Sequence, residues 1–261
     1  MKVALLISTY NWPMALRRVL ETVAYQSYMP DEVFVADDGS GDETRAITEW
    51  AKITLAIPLH HVWHPDDGFR KTIILNKAIK ISKSDYIIQI DGDIVLNRHF
   101  VRDHVRVAER GFYVKGSRVL LSETKTAEVF LGRGAPYFHF FTKGITNRIN
   151  SLRAPFLAPF FEKKSSRSDD LRGCNCAFWR DDFMAVNGYN NDLEGWGHED
   201  IELAARLVNY GVMQKRVKML AVCYHLFHAF NERSRESLNF LNYQKVLESG
   251  AKRCVNGVMP K

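Results

Sequence analysis

Asp91-Gly92-Asp93 ends the run 86–90, whose residues are Tyr-Ile-Ile-Gln-Ile. Two carboxylates at the mouth of a buried strand offer hard oxygen ligands where a divalent cation can bridge protein and diphosphate, an arrangement that suits Mg²⁺. A solvated Asp-Gly turn is the plainer reading of the same residues. Asp37-Asp38 precedes Gly39-Ser40. A carboxylate there can accept from a uracil N–H or a ribose hydroxyl, and two are more than a helix cap needs. His225 and His228 stand three apart after an apolar run; either can complete a cation site with Asp93, although paired histidines also serve as surface or packing residues. A zinc site from Cys174, Cys176, His225 and His228 fits poorly, because Cys-x-Cys is not the usual knuckle spacing.

The stretch Gly188-Tyr189-Asn190-Asn191-Asp192-Leu193-Glu194-Gly195-Trp196-Gly197-His198-Glu199-Asp200 carries the most information. Gly-Trp-Gly predicts an irregular turn with an exposed aromatic suited to stacking on a sugar ring. Glu199 and Asp200 then open a helix, where the dipole favours carboxylates. Dipole compensation alone leaves the Gly-Trp-Gly unexplained.

The elements that must hold these residues are legible in the first 100 positions. Apolar or β-type runs at 3–8, 32–36, 57–63 and 85–90 alternate with helical patterns, the first opened by Pro13 and the third over 72–81. Ser40-Gly41-Asp42-Glu43 reads as a capping box opening a helix to about Lys52. Such alternation predicts a mostly parallel central sheet flanked by helices, an α/β fold. Ligands in these sheets bind beyond the carboxyl ends of the strands, and there lie Thr9-Tyr10-Asn11, Asp37-Asp38-Gly39-Ser40 and Asp91-Gly92-Asp93. Over 123–170 the alternation fades into Phe, Pro, Arg and Lys. It returns at 174–179, with a helix over 201–208, a strand over 217–223 and a closing helix over 236–247. The chain therefore reads as a single domain with an insertion, divided into a Rossmann-like nucleotide-binding half, 1–100, and a second half, 101–261.

Composition narrows the classes. With 36 Lys and Arg against 30 Asp and Glu, the net charge of +6 suits a polyanionic ligand or an anionic membrane face. No dense basic stripe or nucleic-acid-binding signature occurs, so no nucleic-acid partner is expected. No run of 18 apolar residues occurs, and the N-terminal apolar stretch is too short for a signal peptide. Four cysteines in a chain of this length are not a disulfide scaffold. The expectation is a cytoplasmic protein with reduced thiols, resting at most peripherally on the inner face of the cytoplasmic membrane. Residues 142–164 mix Arg and Lys with Phe, Leu and Ile; they are expected to contribute to an acceptor site and to touch an anionic membrane, or else simply to cover the sheet.

Ser8-Thr9-Tyr10-Asn11, Val35-Ala36-Asp37-Asp38-Gly39-Ser40 and Asp91-Gly92-Asp93, in that order, resemble family 2 glycosyltransferases of the nucleotide-sugar-binding A-type fold. Asn187 to Asp200 resembles the carboxyl-terminal domain of β-1,4-galactosyltransferases and bacterial chondroitin-polymerase-like enzymes. The likeness covers about residues 1–100 and 173–230, and its Gly-Trp-Gly-x-Glu-Asp element is highly specific. It implies that Thr9, Tyr10 and Asp38 hold uracil and ribose, that Arg70 approaches the diphosphate or its nucleoside, and that Asp91 faces ribose and cation. Asn11, Gly92 and Trp196 count with the same donor site. Asp93 and His228 would ligate Mn²⁺ or Mg²⁺; His225 stands where those galactosyltransferases carry methionine. Asp200 would be the inverting base, helped by Glu199 at the acceptor.

The implied activity is transfer of a hexose or N-acetylhexosamine from a UDP-sugar to a glycan or lipid-linked glycan hydroxyl, in surface polysaccharide or lipopolysaccharide synthesis. Two competing readings are a non-catalytic nucleotide- or carbohydrate-binding module and a sugar-phosphate nucleotidyltransferase. The latter normally carries a Gly-rich basic loop after strand one, and Ser8-Thr9-Tyr10-Asn11-Trp12 has neither glycine nor base.

Overall fold

A computed structural model of the chain describes residues 1–229 and 233–259. The first part runs β1 (Val3–Thr9), α1 (Pro13–Ala24), β2 (Glu32–Asp37), α2 (Asp42–Thr54), β3 (Leu59–Trp63), α3 (Lys71–Ile81) and β4 (Tyr86–Asp91). β1 to β4 form the parallel half of a sheet in the order β3-β2-β1-β4. β1 is apolar from Val3 to Ile7 because both its faces are covered, as in a central parallel strand. Val3, Leu5 and Ile7 pack with α1 and α2, whereas Ala4 and Leu6 face α3 and the later helix that carries Asp200. Pro13 starts α1 with its φ already helical, and Leu16, Val19, Leu20 and Val23 are buried. Each such side chain contributes roughly 1.5–3 kcal/mol on leaving water.

The chain continues through β5 (Ile94–Leu96), α4 (Phe100–Val107), β6 (Phe112–Lys115), β7 (Val119–Leu121), α5 (Glu123–Leu131), β8 (Ile145–Thr146), α6 (Ala158–Phe161) and β9 (Lys163–Ser165). After a 3-10 turn at Gly173–Asn175 come β10 (Cys176–Trp179), α7 (Arg180–Ala185), α8 (Glu199–Tyr210), β11 (Met213–Arg216), β12 (Cys223–His225) and α9 (Glu236–Ser249). The main sheet continues β4-β10-β6-β11-β9, where β10 and β9 are antiparallel to their neighbours. The expected parallel sheet thus holds for the first four strands and becomes mixed beyond them. A second sheet, β5-β12-β7-β8, packs its own apolar layer against α1 and α5.

Three local expectations need correction. Residues 217–223 do not form one strand. Met219 and Ala221 adopt positive φ, 60° and 49°, and the apolar run is a buried bend between β11 and β12. The capping box does not form either. Gly41 caps α2 without a side-chain bond, because the Ser40 hydroxyl instead accepts from the Asn11 backbone N–H at 2.8 Å. Within 123–170, regular structure persists through α5, which the Ser122 hydroxyl caps by accepting from the Lys125 N–H.

Candidate active site

The parallel strands end on one edge, and β4 brings Asp91 there beside Ser8 of β1. One Asp91 oxygen accepts from the Ser8 hydroxyl at 2.8 Å and from Lys71 Nζ at 2.9 Å. Burial pushes this carboxyl up, but the Lys71 ammonium and the Ser8 hydroxyl outweigh it and hold it below its ordinary value. Gly92 donates to the Ser8 carbonyl at 2.6 Å, turning the chain so that Asp93 follows on the far side.

Asp93 meets both histidines. β12 pairs antiparallel with β5, setting His225 opposite Ile94. The Nε2 atoms of His225 and His228 lie 3.5 and 3.4 Å from Asp93 Oδ2. The other oxygen, Oδ1, is buried and has no hydrogen-bond partner. A lone buried carboxylate oxygen is costly unless something of opposite charge meets it. Burial, then the Asp91 charge, pushes the Asp93 carboxyl up to about 7. Burial, then Arg118, lowers His225 to about 4, so its imidazole is neutral and has a lone pair to give. His228 Nδ1 faces the Ala229 carbonyl at 2.6 Å; the proton therefore belongs on Nδ1, and Nε2 is left as acceptor. These three side chains offer one ligand atom each within 4.8 Å of one another, a donor set fit for a divalent cation and one that includes neither Cys174 nor Cys176.

Asp200 is fixed from a different direction. It opens α8, and its Oδ2 accepts from the Gly173 N–H at 2.7 Å. A Cβ on Gly173 would stand 2.6 Å from Asp200 Oδ1 and 2.7 Å from Gln89 Nε2, so this contact requires glycine. The Tyr189 hydroxyl donates to Gln89 Oε1 at 3.0 Å and lies 3.5 Å from Asp200 Oδ1. Burial, then the adjacent Glu199, pushes the Asp200 carboxyl up to about 7. Three carboxylates share a neighbour: Lys71 Nζ is 3.7 Å from Glu199 Oε1 and feels Asp91 and Asp200. Burial alone would lower this ammonium; those three carboxylates hold it well above the ordinary lysine value. Asp93 is in its field as well.

The other expected residues fall around this centre, several with their polar atoms already engaged. Thr9 is buried beside Gly92. Tyr10 is half exposed, and its hydroxyl donates to Asp66 at 2.8 Å. Asn11, at φ 44°, ties two loops together, accepting from the Gly41 N–H on Oδ1. Asp38 is buried with both oxygens occupied, by His64 at 2.7 Å and by the Arg70 backbone N–H at 2.9 Å. The Arg70 guanidinium pairs with Glu194 and with Asp67. Trp196 lies in the predicted irregular turn, where Gly195, Gly197 and His198 all have positive φ. It is half-buried rather than exposed, because the Arg233 guanidinium covers its ring at 4.6 Å from the centroid.

Sequence reasoning missed Lys71, Arg118, Gly173, Gln89 and Tyr189. Lys71 stood next to Arg70 and Tyr189 lay inside the quoted glycine-rich stretch, but neither had a local pattern. Arg118 donates to Cys174 Sγ at 3.0 Å and is felt by Asp91 and Asp93.

Residues 4–166 match the family model described as glycosyl transferase family 2, and residues 158–229 the one described as N-terminal domain of galactosyltransferase. The validoxylamine A glucosyltransferase of Streptomyces hygroscopicus subsp. limoneus is 27% identical over 234 residues, covering 80% of this chain and 48% of that protein. The hyaluronan synthase of Pasteurella multocida is 24% identical over 239 residues, covering 85% of this chain and 24% of its own length. The chondroitin synthase of Escherichia coli is 24% identical over 246 residues, covering 85% of this chain and 34% of its own. The chain thus spans about half, or less, of the length of these curated relatives. Among solved structures, S. aureus TarS 1-349 in complex with UDP shares the fold, with a TM-score of 0.63 at 17% identity over 96% of this chain and 65% of that one.

Proposed function

The chain belongs to glycosyl transferase family 2, and on that premise we propose that it is an inverting, metal-dependent enzyme. It would move a hexose or N-acetylhexosamine from a UDP-sugar to a hydroxyl of a glycan or lipid-linked glycan. Surface polysaccharide or lipopolysaccharide synthesis is the process this suits. Similarity to polysaccharide synthases and to a fold that binds UDP supports the donor and acceptor classes.

The observation that carries the reading is the placing of the Asp93–His225–His228 donor set and of Asp200, fixed by the Gly173 N–H, around one lysine, Lys71. In this reading residues 1–100 hold the donor and 101–261 supply the acceptor site and the base. Thr9, Tyr10, Asn11 and Asp38 line the uracil and ribose side, with Arg70 near the diphosphate and Trp196 near the sugar. Asp93, His228 and His225 hold the cation, Mn²⁺ more readily than Mg²⁺, since Mg²⁺ prefers an all-oxygen shell. A cation held there would neutralise charge on the departing nucleoside diphosphate; Asp91 and Gly92 would line the donor side next to it, Asp91 held by Ser8 and Lys71.

Asp200 takes the proton of the acceptor hydroxyl as its oxygen bonds to C1 of the donor sugar. The C1–O bond to the diphosphate breaks with its electron pair going to UDP, and one-step displacement inverts the anomeric centre. Gly173 N–H and Tyr189 hold the carboxylate in line, while Glu199 receives the acceptor and Lys71 bridges Glu199 and Asp91.

The test is UDP release from a panel of UDP-sugars, with acceptors, in Mn²⁺ and in excess chelator. Turnover of at least one donor in Mn²⁺ and loss in chelator is expected. Undiminished turnover in chelator, or none with any donor, sinks the reading.

A further inference from the structure

Residues 131–168 contain seven of the chain's 36 Lys and Arg and one of its 30 Asp and Glu. The remaining chain carries 29 of each sign, so the whole net charge of +6 resides in this one segment. The same segment holds every described phenylalanine exposed beyond three quarters: Phe141 at 80%, Phe156 at 76% and Phe160 at 82%. Exposed aromatics and unneutralised cations concentrated in one segment of the chain point to an interaction surface rather than ordinary surface scatter.

The mount is firm. α6 and the turn before it present Phe156 and Phe160 outward, while Ala158 is buried behind them. The Ala154 N–H donates to the Met219 carbonyl at 3.0 Å, and Arg153 forms a two-bond ion pair with buried Asp103 at 2.8 and 2.6 Å. Arg153, Lys164 and Arg167 are neutralised by partners outside the segment. Lys143, Lys163 and Arg133 are exposed and form no ion pair with described residues. Arg148 gives its guanidinium to the Phe140 and Thr142 carbonyls, which leave its charge in place.

We infer that this segment docks the protein on an anionic phospholipid bilayer. The benzyl side chains would enter the headgroup–acyl boundary and the free cations would meet lipid phosphates. A soluble polyanion would use the cations but leave three benzyl groups in water, and the bilayer accommodates both. The inference is independent of the glycosyl-transfer reading.

Sedimentation of the full chain with phosphatidylglycerol–phosphatidylcholine vesicles, and with phosphatidylcholine alone, tests it. Binding to the anionic vesicles only is expected, weakened by high salt. Phe156→Ser/Phe160→Ser and, separately, Lys143→Glu/Lys163→Glu should each reduce it by roughly tenfold at an unchanged thermal midpoint. Absence of binding overturns the inference, as does binding that neither double variant reduces. A dimer that Phe156→Ser/Phe160→Ser dissolves, without vesicle binding, assigns the face to a second copy and overturns it too.

Discussion

Asp200 needs two properties to serve as a base near neutrality: a fixed direction and a proton affinity matched to the medium. Gly173 N–H supplies the direction, at 2.7 Å. Burial and Glu199 supply the affinity, pushing the carboxyl up to about 7. Only the ionised form can take a proton, so kcat/KM should rise with pH up to about 7 and then level off. Asp200→Asn keeps an oxygen for the Gly173 bond and loses the proton acceptor. Its kcat should drop by about 10²–10⁴-fold, measured as UDP release at saturating donor. A variant within threefold of the parent, or a parent profile without an acid limb, would remove Asp200 from the role.

α8 can aim Asp200 only if its own position is secure, and a buried pair one turn on secures it. Glu202 and Arg206, both fully buried, meet through two bonds at 3.0 and 2.6 Å, and Arg206 also donates to the Val186 carbonyl at 2.7 Å. Breaking one half of such a pair leaves an uncompensated charge in the interior. Glu202→Gln should therefore cost about 3–5 kcal/mol in urea unfolding. The double change Glu202→Leu/Arg206→Met removes both charges and should cost clearly less. Equal losses in the two would mean that packing, not charge compensation, governs the site. The second sheet acts on the cation side in the same way, because the pairing of β12 with β5 is what sets His225 beside Asp93.

Across the whole molecule, the raised carboxyls of Asp93 and Asp200 tie stability to pH. A carboxyl whose folded value is raised contributes stability fully present below its ordinary value, near 4, and lost as pH climbs through about 7. His225 and His104, each lowered to about 4, gain stability as pH rises to their ordinary value near 6.5, so the metal-free thermal midpoint should fall between pH 6.5 and 8.5. Asp91, held below its ordinary value, acts oppositely, but its contribution is lost only as pH falls beneath that window. Mn²⁺ binds the ionised form of Asp93, so it should raise the midpoint more at pH 8.5 than at pH 5.5. Differential scanning fluorimetry with and without Mn²⁺ reads both effects. An equal rise at the two pH values, or a rise retained in Asp93→Asn, would count against the Asp93–His225–His228 site.

Local patterns in the chain determined a good deal. The apolar runs of β1, β2 and β4 and the helical spacing of α1 and α3 follow from burial on one or two faces, a property written into neighbouring residues. The polar ends of those strands, Asp91 and Asp38 among them, are legible for the same reason, and so is the irregular turn at Gly195-Trp196-Gly197. Tertiary structure decided what joins them. Lys71 meets Asp91 across 20 positions, Gly173 meets Asp200 across 27, and Asp93 meets His225 across a strand pairing from distant parts of the chain. It also decided that 217–223 bends instead of extending, and that Arg233 covers Trp196. Periodicity reports which face a residue buries. Which distant group arrives on that face depends on sheet order and loop packing, and no local spacing encodes those.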